Sequence, residues 1–355
     1  MGRCPRRALV PGAPGSARAD PLRFRVSARI PRRLLLRGAG LTVLAGAAAA
    51  ATTPVRPGRA QSAVVAGRAR AGGWNDVGVI VWGAEDLAQY GHLVLPRRRA
   101  WGRERRPVIV FFHGGGWRES SSWDYVLGAA RDLARYGVAV WLPAYRGTPS
   151  PGGWPGTFAD ALTGVQAVAR LSEHAPFTPD PQRIHLVGHS AGGHLAVWAA
   201  GAVSGALGAA AATGDDGPAE LLASLAAQSE VSVASATSLA GVLDPVRAVE
   251  EDQDQFVVDL LGGTPQEQPE RYALASPLEQ LPTGFPVHVV HGIDDRTVPV
   301  QTVEPYLERL RSQGQAGRIE LVRGAQHNDL IQVSDPAWPV TREVCLAAVG
   351  APDGR

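Results

Sequence analysis

From residue 77 onward, short apolar segments of strand length alternate with segments of helical periodicity, and this alternation constrains the fold more than any other feature. Two segments, Val108–Phe112 and Val138–Leu142, are apolar at every position. Central strands of a parallel sheet have this pattern because both of their faces are buried. The sequence therefore predicts an α/β fold with a doubly wound, mostly parallel sheet of about eight strands.

The predicted elements follow one another without an internal repeat, and no separate lid domain is expected. The first two strands stand close together and predict an antiparallel edge. An Ala-, Gly- and Ser-rich segment, residues 201–230, is predicted to be an exposed insertion beside the sheet. The predicted helices cover residues 122–136, 158–171, 190–203, 302–313 and 338–349. The predicted strands are Val77–Trp82, Gly91–Leu95, Pro107–Phe112, Val138–Pro143, Arg183–Val187, Val231–Leu239, Pro286–His291 and Arg318–Val322.

Residues 1–63 differ from the rest of the chain and are predicted to be a leader of the twin-arginine signal-peptide type. Arg32 and Arg33 precede a weakly apolar run of fourteen residues, 38–51. A membrane span needs about 20 residues, so the run fits the core of a signal peptide that exports the protein to the periplasm or the cell exterior. No Cys follows the run, so no stable membrane anchor is expected. An Arg-rich extension from a misassigned start codon is the alternative, and the protein would then be cytoplasmic.

The net charge changes sign between residues 1–63 and the rest of the chain. The leader carries twelve Arg and one acidic residue, whereas residues 64–355 carry 23 Arg and 32 acidic residues, a net charge of −9. A basic surface would have to come from the leader, so nucleic-acid binding is not expected. The nine His residues lack the spacing of a zinc site, and no metal or other cofactor is predicted. Nothing in the sequence specifies an oligomeric state.

A five-residue motif, Gly188-His189-Ser190-Ala191-Gly192, follows a predicted strand and precedes a helical run. A sharp turn from strand to helix requires small residues beside the central one, because larger side chains clash with the neighbouring strand and helix. Such a turn points the Ser190 hydroxyl away from the sheet, at the positive end of a helix. The motif in this context predicts a nucleophilic serine, and a simple structural turn is the alternative.

A second glycine-rich motif, His113-Gly114-Gly115-Gly116-Trp117, follows the predicted strand Pro107–Phe112. Backbone N–H groups that converge on one point, with no side chain in the way, form an oxyanion hole for the negative oxygen of an acyl-transfer intermediate. We expect the N–H groups of Gly115, Gly116 and Ala191 to be these donors. A flexible glycine loop is the alternative.

The catalytic acid and base are expected to follow the nucleophile in the order Ser, Asp, His. The segment His291–Pro299 comes directly after a predicted strand and contains two neighbouring aspartates. Asp295 is predicted to be the acid, Asp294 is its near rival, and Asp244 is a distant third candidate. His327, which follows the last predicted strand, is predicted to be the general base.

With these motifs in this order, the chain resembles α/β-hydrolase esterases, and among them the short, lidless acyl-esterases that include kynurenine-formamidase-like enzymes. The resemblance covers residues 77–345 and implies the α/β-hydrolase fold, a Ser190, Asp295 and His327 triad, and hydrolysis of esters or related acyl bonds. One departure is Asn328, which stands where such esterases often carry an aromatic residue. The segments that carry the resemblance are His113–Trp117, Gly153–Phe158, Gly188–Leu195, Ala273–Pro277 and His291–Pro299.

The leading prediction is a carboxylic-ester hydrolase, with residues 64–355 as its catalytic domain, that acts on small-molecule esters with short or aromatic acyl groups. Trp117, Tyr145 and Trp154 are predicted to line the substrate pocket. Hydrolysis of amides, formamides or peptides is the alternative, because the triad chemistry is shared and the pocket decides between substrates. A non-catalytic binding protein comes third, and the presence of all three triad residues speaks against it.

Overall fold

The computed structural model describes residues 23–27, 74–81, 89–96, 105–149, 151–175, 177–207, 217–281 and 283–351. Within these residues, nine strands form one sheet in the order β1-β9-β8-β7-β6-β4-β5-β3-β2. Neighbouring strands are parallel except for β2 with β3 and β3 with β5. The strands are β1 (Arg23–Ser27), β2 (Trp74–Val81), β3 (Tyr90–Pro96), β4 (Arg106–Phe112), β5 (Ala139–Pro143), β6 (Pro179–His189), β7 (Val233–Leu239), β8 (Val287–Gly292) and β9 (Gly317–Val322).

The eight strands β2–β9 overlap the eight predicted ones, so the mostly parallel sheet with an antiparallel edge is confirmed. The additional strand, β1, pairs in parallel with β9, with Arg23 beside Arg318 and Ser27 beside Val322. It lies within the predicted leader, and the other leader residues lie outside the described residues. Export of the protein therefore stays a prediction.

The five predicted helices are present, and four further helices lie between β6 and β8. The second helix continues as a 3-10 helix over Ala167–Glu173. In the described part of the chain, no helix is both long and apolar enough to cross a membrane. The helices are α1 (Asp124–Arg135), α2 (Gly156–Gln166), α3 (Ala191–Val203), α4 (Gly217–Ala227), α5 (Pro245–Glu250), α6 (Gln255–Leu261), α7 (Pro269–Ala275), α8 (Val300–Ser312) and α9 (Trp338–Ala348).

Helices cover both faces of the sheet, and each face has its own apolar core. On one face α1 and α9 enclose a cluster that includes Phe111 and Trp338. On the other face α2, α3 and α8 enclose a cluster that includes Phe112 and Tyr306. Neighbouring residues of β4 thus point into different cores, because successive side chains of a strand alternate between its two faces. This arrangement explains why the central strands are apolar throughout.

Helix α3 is buried from Ala191 to Ala202, and its small residues allow this position. A Cβ atom on Gly193 would lie 2.8 Å from the Cα of Gly241, so a larger residue would push the helix away from the sheet. The N-terminus of α3 therefore lies directly against the carboxyl ends of β6 and β7. The candidate site forms at this edge of the sheet.

The prediction of an exposed insertion over residues 201–230 is wrong for residues 201–203, which end the buried helix α3, and for residues 217–227, which form α4. Ala219, Leu222 and Ala226 of this helix are buried. Alanine and leucine favour helix strongly, and their three- and four-residue spacing gives the segment one apolar face. Residues 208–216 of the predicted insertion lie outside the described residues.

Three short helices, α5–α7, occupy the connection between β7 and β8. Side-chain caps set two of their boundaries. Asp244 accepts a hydrogen bond from the Arg247 N–H at 3.0 Å and caps α5, and Asp254 accepts one from the Phe256 N–H at 2.9 Å and caps α6. Gly262, in the left-handed region with φ 76°, ends α6. The turn between α5 and α6 lies over the carboxyl edge of the sheet, beside the candidate site.

Candidate active site

Ser190 stands at the turn between β6 and α3 in a strained backbone conformation, with φ 56° and ψ −123°. Glycines stand two positions before and two positions after it because no larger residue fits there. A Cβ atom on Gly188 would lie 1.9 Å from the Gly192 carbonyl oxygen, and one on Gly192 would lie 2.2 Å from the Phe112 carbonyl oxygen. The Ser190 N–H donates to the Leu239 carbonyl at 2.9 Å and fixes the turn to β7. The hydroxyl is thereby held above the sheet at the positive end of a buried helix.

Asp295 and His327 come together from the loops after β8 and β9. The Nδ1 of His327 donates a hydrogen bond to the Oδ2 of Asp295 at 2.8 Å. The other carboxylate oxygen, Oδ1, accepts from the N–H groups of Thr297 at 2.8 Å and Val298 at 3.0 Å. The carboxylate is therefore fixed by its own loop and presents one oxygen to the imidazole.

The two rival aspartates have other partners. Asp294 turns away from His327, and its Oδ2 accepts a hydrogen bond from the Gly324 N–H at 2.8 Å. Asp244 caps α5 through the Arg247 N–H. Of the three candidate acids, Asp295 is the one whose carboxylate contacts the imidazole of His327.

The pKa of Asp295 lies below its ordinary value. Burial raises this pKa, but the hydrogen bond and charge of His327, together with the N–H donors of Val298 and Thr297, lower it by more. Asp295 is therefore ionised at neutral pH. A fixed negative charge beside Nδ1 holds the imidazole with its proton on that nitrogen and leaves Nε2 free to accept one.

His327 is linked to the segment that carries Ser190 through the residue before that serine. The Nε2 of His189, the residue before Ser190, donates to the His327 carbonyl at 2.9 Å. The ring centroids of His189 and His327 are 4.6 Å apart. Among the described contacts, the Ser190 hydroxyl is not hydrogen-bonded to the imidazole. In enzymes without substrate this bond is often long, and it tightens when substrate binds.

Other buried histidines brace the loops around these residues. The Nε2 of His291 donates to the Val298 carbonyl at 2.8 Å and lies 3.8 Å from the Oδ2 of Asp295. The Nε2 of His194 donates to the Ala275 carbonyl at 2.8 Å. Burial lowers the pKa of His291, and it lowers that of His194 to about 4, so both rings are neutral at pH 7.

The second glycine motif forms a loop in the left-handed region, where Gly115, Gly116 and Trp117 have φ values of 108°, 62° and 52°. The Tyr145 hydroxyl donates to the His113 carbonyl at 2.9 Å at one end of the loop. The Thr148 N–H donates to the Trp117 carbonyl at 2.7 Å at the other end. The loop is therefore held by specific contacts, in contrast to the flexible glycine loop that was the alternative.

A cavity of about 350 Å³ opens at Ser190. The predicted donors Gly116 and Ala191 line it, and Ala191 is the first residue of α3, whose N–H has no partner within the helix. Gly115 is not among the lining residues, and a Cβ atom on it would lie 2.0 Å from the Ser121 hydroxyl. The other lining residues are Trp117, Val242, Ala248, Asp252, Gln253, Asp254, Gln255, Phe256, Thr297, Val298 and Thr302.

Of the predicted substrate-binding residues, Trp117 lines this cavity, whereas Tyr145 and Trp154 do not. Tyr145 stacks on His113 with a centroid distance of 4.2 Å, and Trp154 packs against Phe158 at 5.1 Å. Sequence reasoning missed the turn of residues 252–256, which forms much of the cavity wall. This turn has no periodic pattern and no motif, and only the Asp254 cap signals it.

Comparisons with known proteins identify relatives of the chain. The family model BD-FAE matches residues 95–310. The chain is 30% identical over 244 residues to Esterase LipC of Mycobacterium tuberculosis, covering 66% of this chain and 56% of the relative. It is 26% identical over 247 residues to the probable isoprenylcysteine alpha-carbonyl methylesterase ICMEL1 of Oryza sativa subsp. japonica, covering 65% and 52%. The chain thus spans about half the length of the curated relatives it matches.

Among solved structures, the chain is similar to the thermophilic esterase Est2 of Thermogutta terrifontis, with a TM-score of 0.55 and 25% sequence identity over 75% of this chain and 90% of the other. The resemblance to α/β-hydrolase esterases that the motifs predict is confirmed. Because the matching family model spans more than half of its residues, the chain belongs to the BD-FAE family and has the α/β-hydrolase fold.

Proposed function

We propose that the protein is a serine hydrolase that cleaves carboxylic esters through an acyl-enzyme intermediate. The observation that carries the proposal is the placement of Ser190 at a strained turn in the wall of a cavity, with the hydrogen-bonded Asp295 and His327 on adjacent loops. The names of the relatives, an esterase and a methylesterase, support the same reaction class.

In the proposed reaction, the Nε2 of His327 removes the proton of the Ser190 hydroxyl, and the alkoxide attacks the ester carbonyl carbon. Asp295 keeps the imidazole in the correct tautomer and stabilises its positive charge. His327 then gives the proton to the leaving alcohol. A water molecule, deprotonated by the same imidazole, attacks the acyl-enzyme and releases the carboxylic acid.

The negative oxygen that forms in each step needs hydrogen-bond donors that are already in place. We assign this role to the N–H groups of Ala191 and Gly116, which line the cavity with Ser190, and to that of Gly115 as the neighbouring predicted donor. Loss of one such donor typically costs about 3 kcal/mol of transition-state stabilisation. Donors that the glycine loop and the start of α3 hold in place before substrate binds therefore account for a large part of the expected acceleration.

The cavity supports a preference for small, uncharged acyl groups. Its volume of about 350 Å³ is at the lower end of the range for small-molecule sites. Trp117, Val242 and Phe256 supply apolar surface, and the charged residues among the described lining, Asp252 and Asp254, are both acidic. Anionic acyl groups would meet these carboxylates, so neutral short or aromatic esters are the best candidates.

Hydrolysis of p-nitrophenyl esters from acetate to decanoate, by the wild type and by Ser190→Ala, tests the proposal. We expect the highest kcat/KM for the short esters and no turnover above background in Ser190→Ala. The matching p-nitroanilides, measured in parallel, distinguish an esterase from an amidase. Turnover that survives Ser190→Ala, or cleavage of the anilides in preference to the esters, would overturn the proposal.

A further inference from the structure

We propose that His189 and Tyr125 are positioning residues that hold the turn of His327 from two sides, and that they keep its imidazole in line with Asp295 and Ser190. The inference rests on the proposed function for its kinetic consequences. The turn in question, residues 326–330, is called the base turn below.

The base turn is poorly anchored by its own contacts. Gln326 and Asp329 form a reciprocal capping box, which fixes the shape of the turn. Both partners of that box belong to the turn, so it does not fix the position of the turn relative to the sheet. Contacts from other elements must do so, and in addition to the hydrogen bond between Asp295 and the His327 ring, two of them reach residues 327 and 328.

The first contact comes from His189, whose side chain is completely buried. Its Nε2 lies 2.9 Å from the main-chain carbonyl oxygen of His327. A carbonyl oxygen only accepts, so Nε2 carries the proton and donates it. The other ring nitrogen, Nδ1, has no hydrogen-bond partner among the described residues. The polar contact of this buried ring is therefore directed to the residue that carries the base.

The ring of His189 is suited to this role because it is uncharged. Burial, reinforced by the nearby His327, lowers its pKa to about 3. It therefore donates from Nε2 without a positive charge at neutral pH. This matters because the His327 ring, with its centroid 4.6 Å away, becomes positively charged during the proposed reaction, and a second cation would oppose that step.

The second contact comes from Tyr125 in the first turn of α1. Its hydroxyl donates to the Oδ1 of Asn328 at 2.7 Å. Its ring also packs against that of His189, with a centroid distance of 5.5 Å. His189 thus holds the main chain of the base turn, and Tyr125 holds the side chain of the next residue. The partner in this contact is Asn328, the residue at which the sequence departs from similar esterases.

Two substitutions of His189 separate hydrogen bonding from packing. In His189→Gln the side-chain amide nitrogen occupies the place of Nε2, whereas in His189→Asn it occupies the place of Nδ1 and cannot reach the His327 carbonyl. We expect His189→Asn to lower kcat for p-nitrophenyl acetate by about 10- to 100-fold, with KM within about threefold. We expect His189→Gln to restore most of kcat, to within about fivefold of the wild type.

His185→Asn is the matched control. His185 is also a buried histidine of β6, and its Nδ1 is hydrogen-bonded to the Ser235 hydroxyl at 2.8 Å, away from the base turn. This variant removes the same ring atoms from the same strand as His189→Asn, so it reproduces the loss of packing without touching the base turn, and it should keep its kcat. Equal kcat in His189→Asn and His189→Gln, or an equal loss of kcat in the His185 control, would overturn the role of His189.

A double-mutant cycle tests the second contact. Tyr125→Phe removes only the hydroxyl, and Asn328→Ala removes the side-chain amide whose oxygen accepts from it. We expect each change to lower kcat by about two- to tenfold, and the double variant to be no slower than the slower single variant. Multiplicative losses in the double variant, or no loss in Tyr125→Phe, would overturn the role of Tyr125.

A readout without substrate separates failure of this inference from failure of the proposed function. We expect the proton between His327 Nδ1 and Asp295 to give a far-downfield ¹H NMR signal, which Asp295→Asn would identify by its loss. We expect this signal to broaden or disappear in His189→Asn and to persist in His189→Gln and in the His185 control. An unchanged signal in His189→Asn would overturn the inference, even for a chain that hydrolyses no ester.

Discussion

Replacing Asp295 by Asn tests the central assignment of the site with almost no change in shape. In the wild type, Oδ2 accepts a hydrogen bond from His327 Nδ1, and Oδ1 accepts two from the N–H groups of Thr297 and Val298. An Asn can keep Oδ1 on these N–H groups, so its NH₂ group then faces Nδ1. Because the NH₂ group only donates, Nδ1 must accept, and the imidazole proton moves to Nε2.

The size of the effect follows from this change of tautomer. With its proton on Nε2, His327 cannot take the Ser190 proton, although the oxyanion donors and the cavity are unchanged. A base held in the wrong tautomer lowers kcat by about 10⁴-fold, which corresponds to about 5 kcal/mol of transition-state stabilisation. We expect KM to change little, because the carboxylate does not contact the substrate.

Asp294→Asn is the control, since the neighbouring carboxylate bonds to the Gly324 N–H through an oxygen that an Asn retains. We expect its kcat to stay within about twofold of the wild type. The assay is kcat and KM for p-nitrophenyl acetate, with circular dichroism to show that both variants are folded. Full activity in Asp295→Asn together with lost activity in Asp294→Asn would refute the assignment.

Two further predictions concern the oxyanion loop and the response to acid. Gly116 has φ +62°, and a Cβ atom added there in Gly116→Ala would lie 2.8 Å from the Phe256 ring. We therefore expect this variant to lower kcat/KM by about 100-fold. The control Gly128→Ala, which meets nothing within 4 Å, should stay active, and an unchanged kcat/KM in Gly116→Ala would contradict the role of this loop. Burial lowers the pKa values of His113, His185, His189 and His194 to about 3 or 4, so the unfolded chain binds more protons below pH 6.5. The free energy of unfolding should be highest above pH 6.5 and fall toward pH 4 by up to about 1.4 kcal/mol per histidine and pH unit, and urea titrations that give a constant value between pH 7.5 and 5 would contradict this.

The sheet was predictable because its strands leave a strong local signal. A strand buried on both faces must be apolar at each position, and β4, with Phe111 and Phe112 in different cores, shows this requirement directly. The short helices α5–α7 leave no such signal, because six or seven residues make too few turns for a helical period to show. Their boundaries depend on single caps such as Asp254, which also occur in loops.

The turn that carries the proposed nucleophile was predictable for a related reason. The turn at Ser190 has no room for a side chain at Gly188 or Gly192. The turn therefore requires glycine at both positions, and this requirement is visible in the sequence. The residues that line the cavity are not restricted to one residue type in this way. Asp252 and Thr302 meet through a hydrogen bond in the cavity wall although fifty positions separate them. Such a contact exists only after the sheet and its connections have assembled.

Residue type alone predicted that Tyr145 and Trp154 line the cavity, and they do not line it. An aromatic side chain suits a pocket, which predicts Tyr145 as a lining residue, yet it stacks on His113 and holds the loop of the proposed oxyanion donors. Its position after β5 was correctly predicted, but the direction of its side chain depends on the loop that packs against it. An aromatic residue near a site is as useful for bracing a loop as for contacting a substrate.

The neighbouring residues Asp294 and Asp295 make different hydrogen bonds. Asp295 bonds to His327, and Asp294 bonds to the Gly324 N–H at the start of the loop that leads to His327. Both carboxylates therefore join the loop after β8 to the loop after β9, one at the imidazole and one three residues before it along the chain. A catalytic hydrogen bond between two loops is only as precise as the distance between the loops. Asp294 adds a second hydrogen bond between the same two loops, and this gives a physical reason for two aspartates where the proposed chemistry needs one.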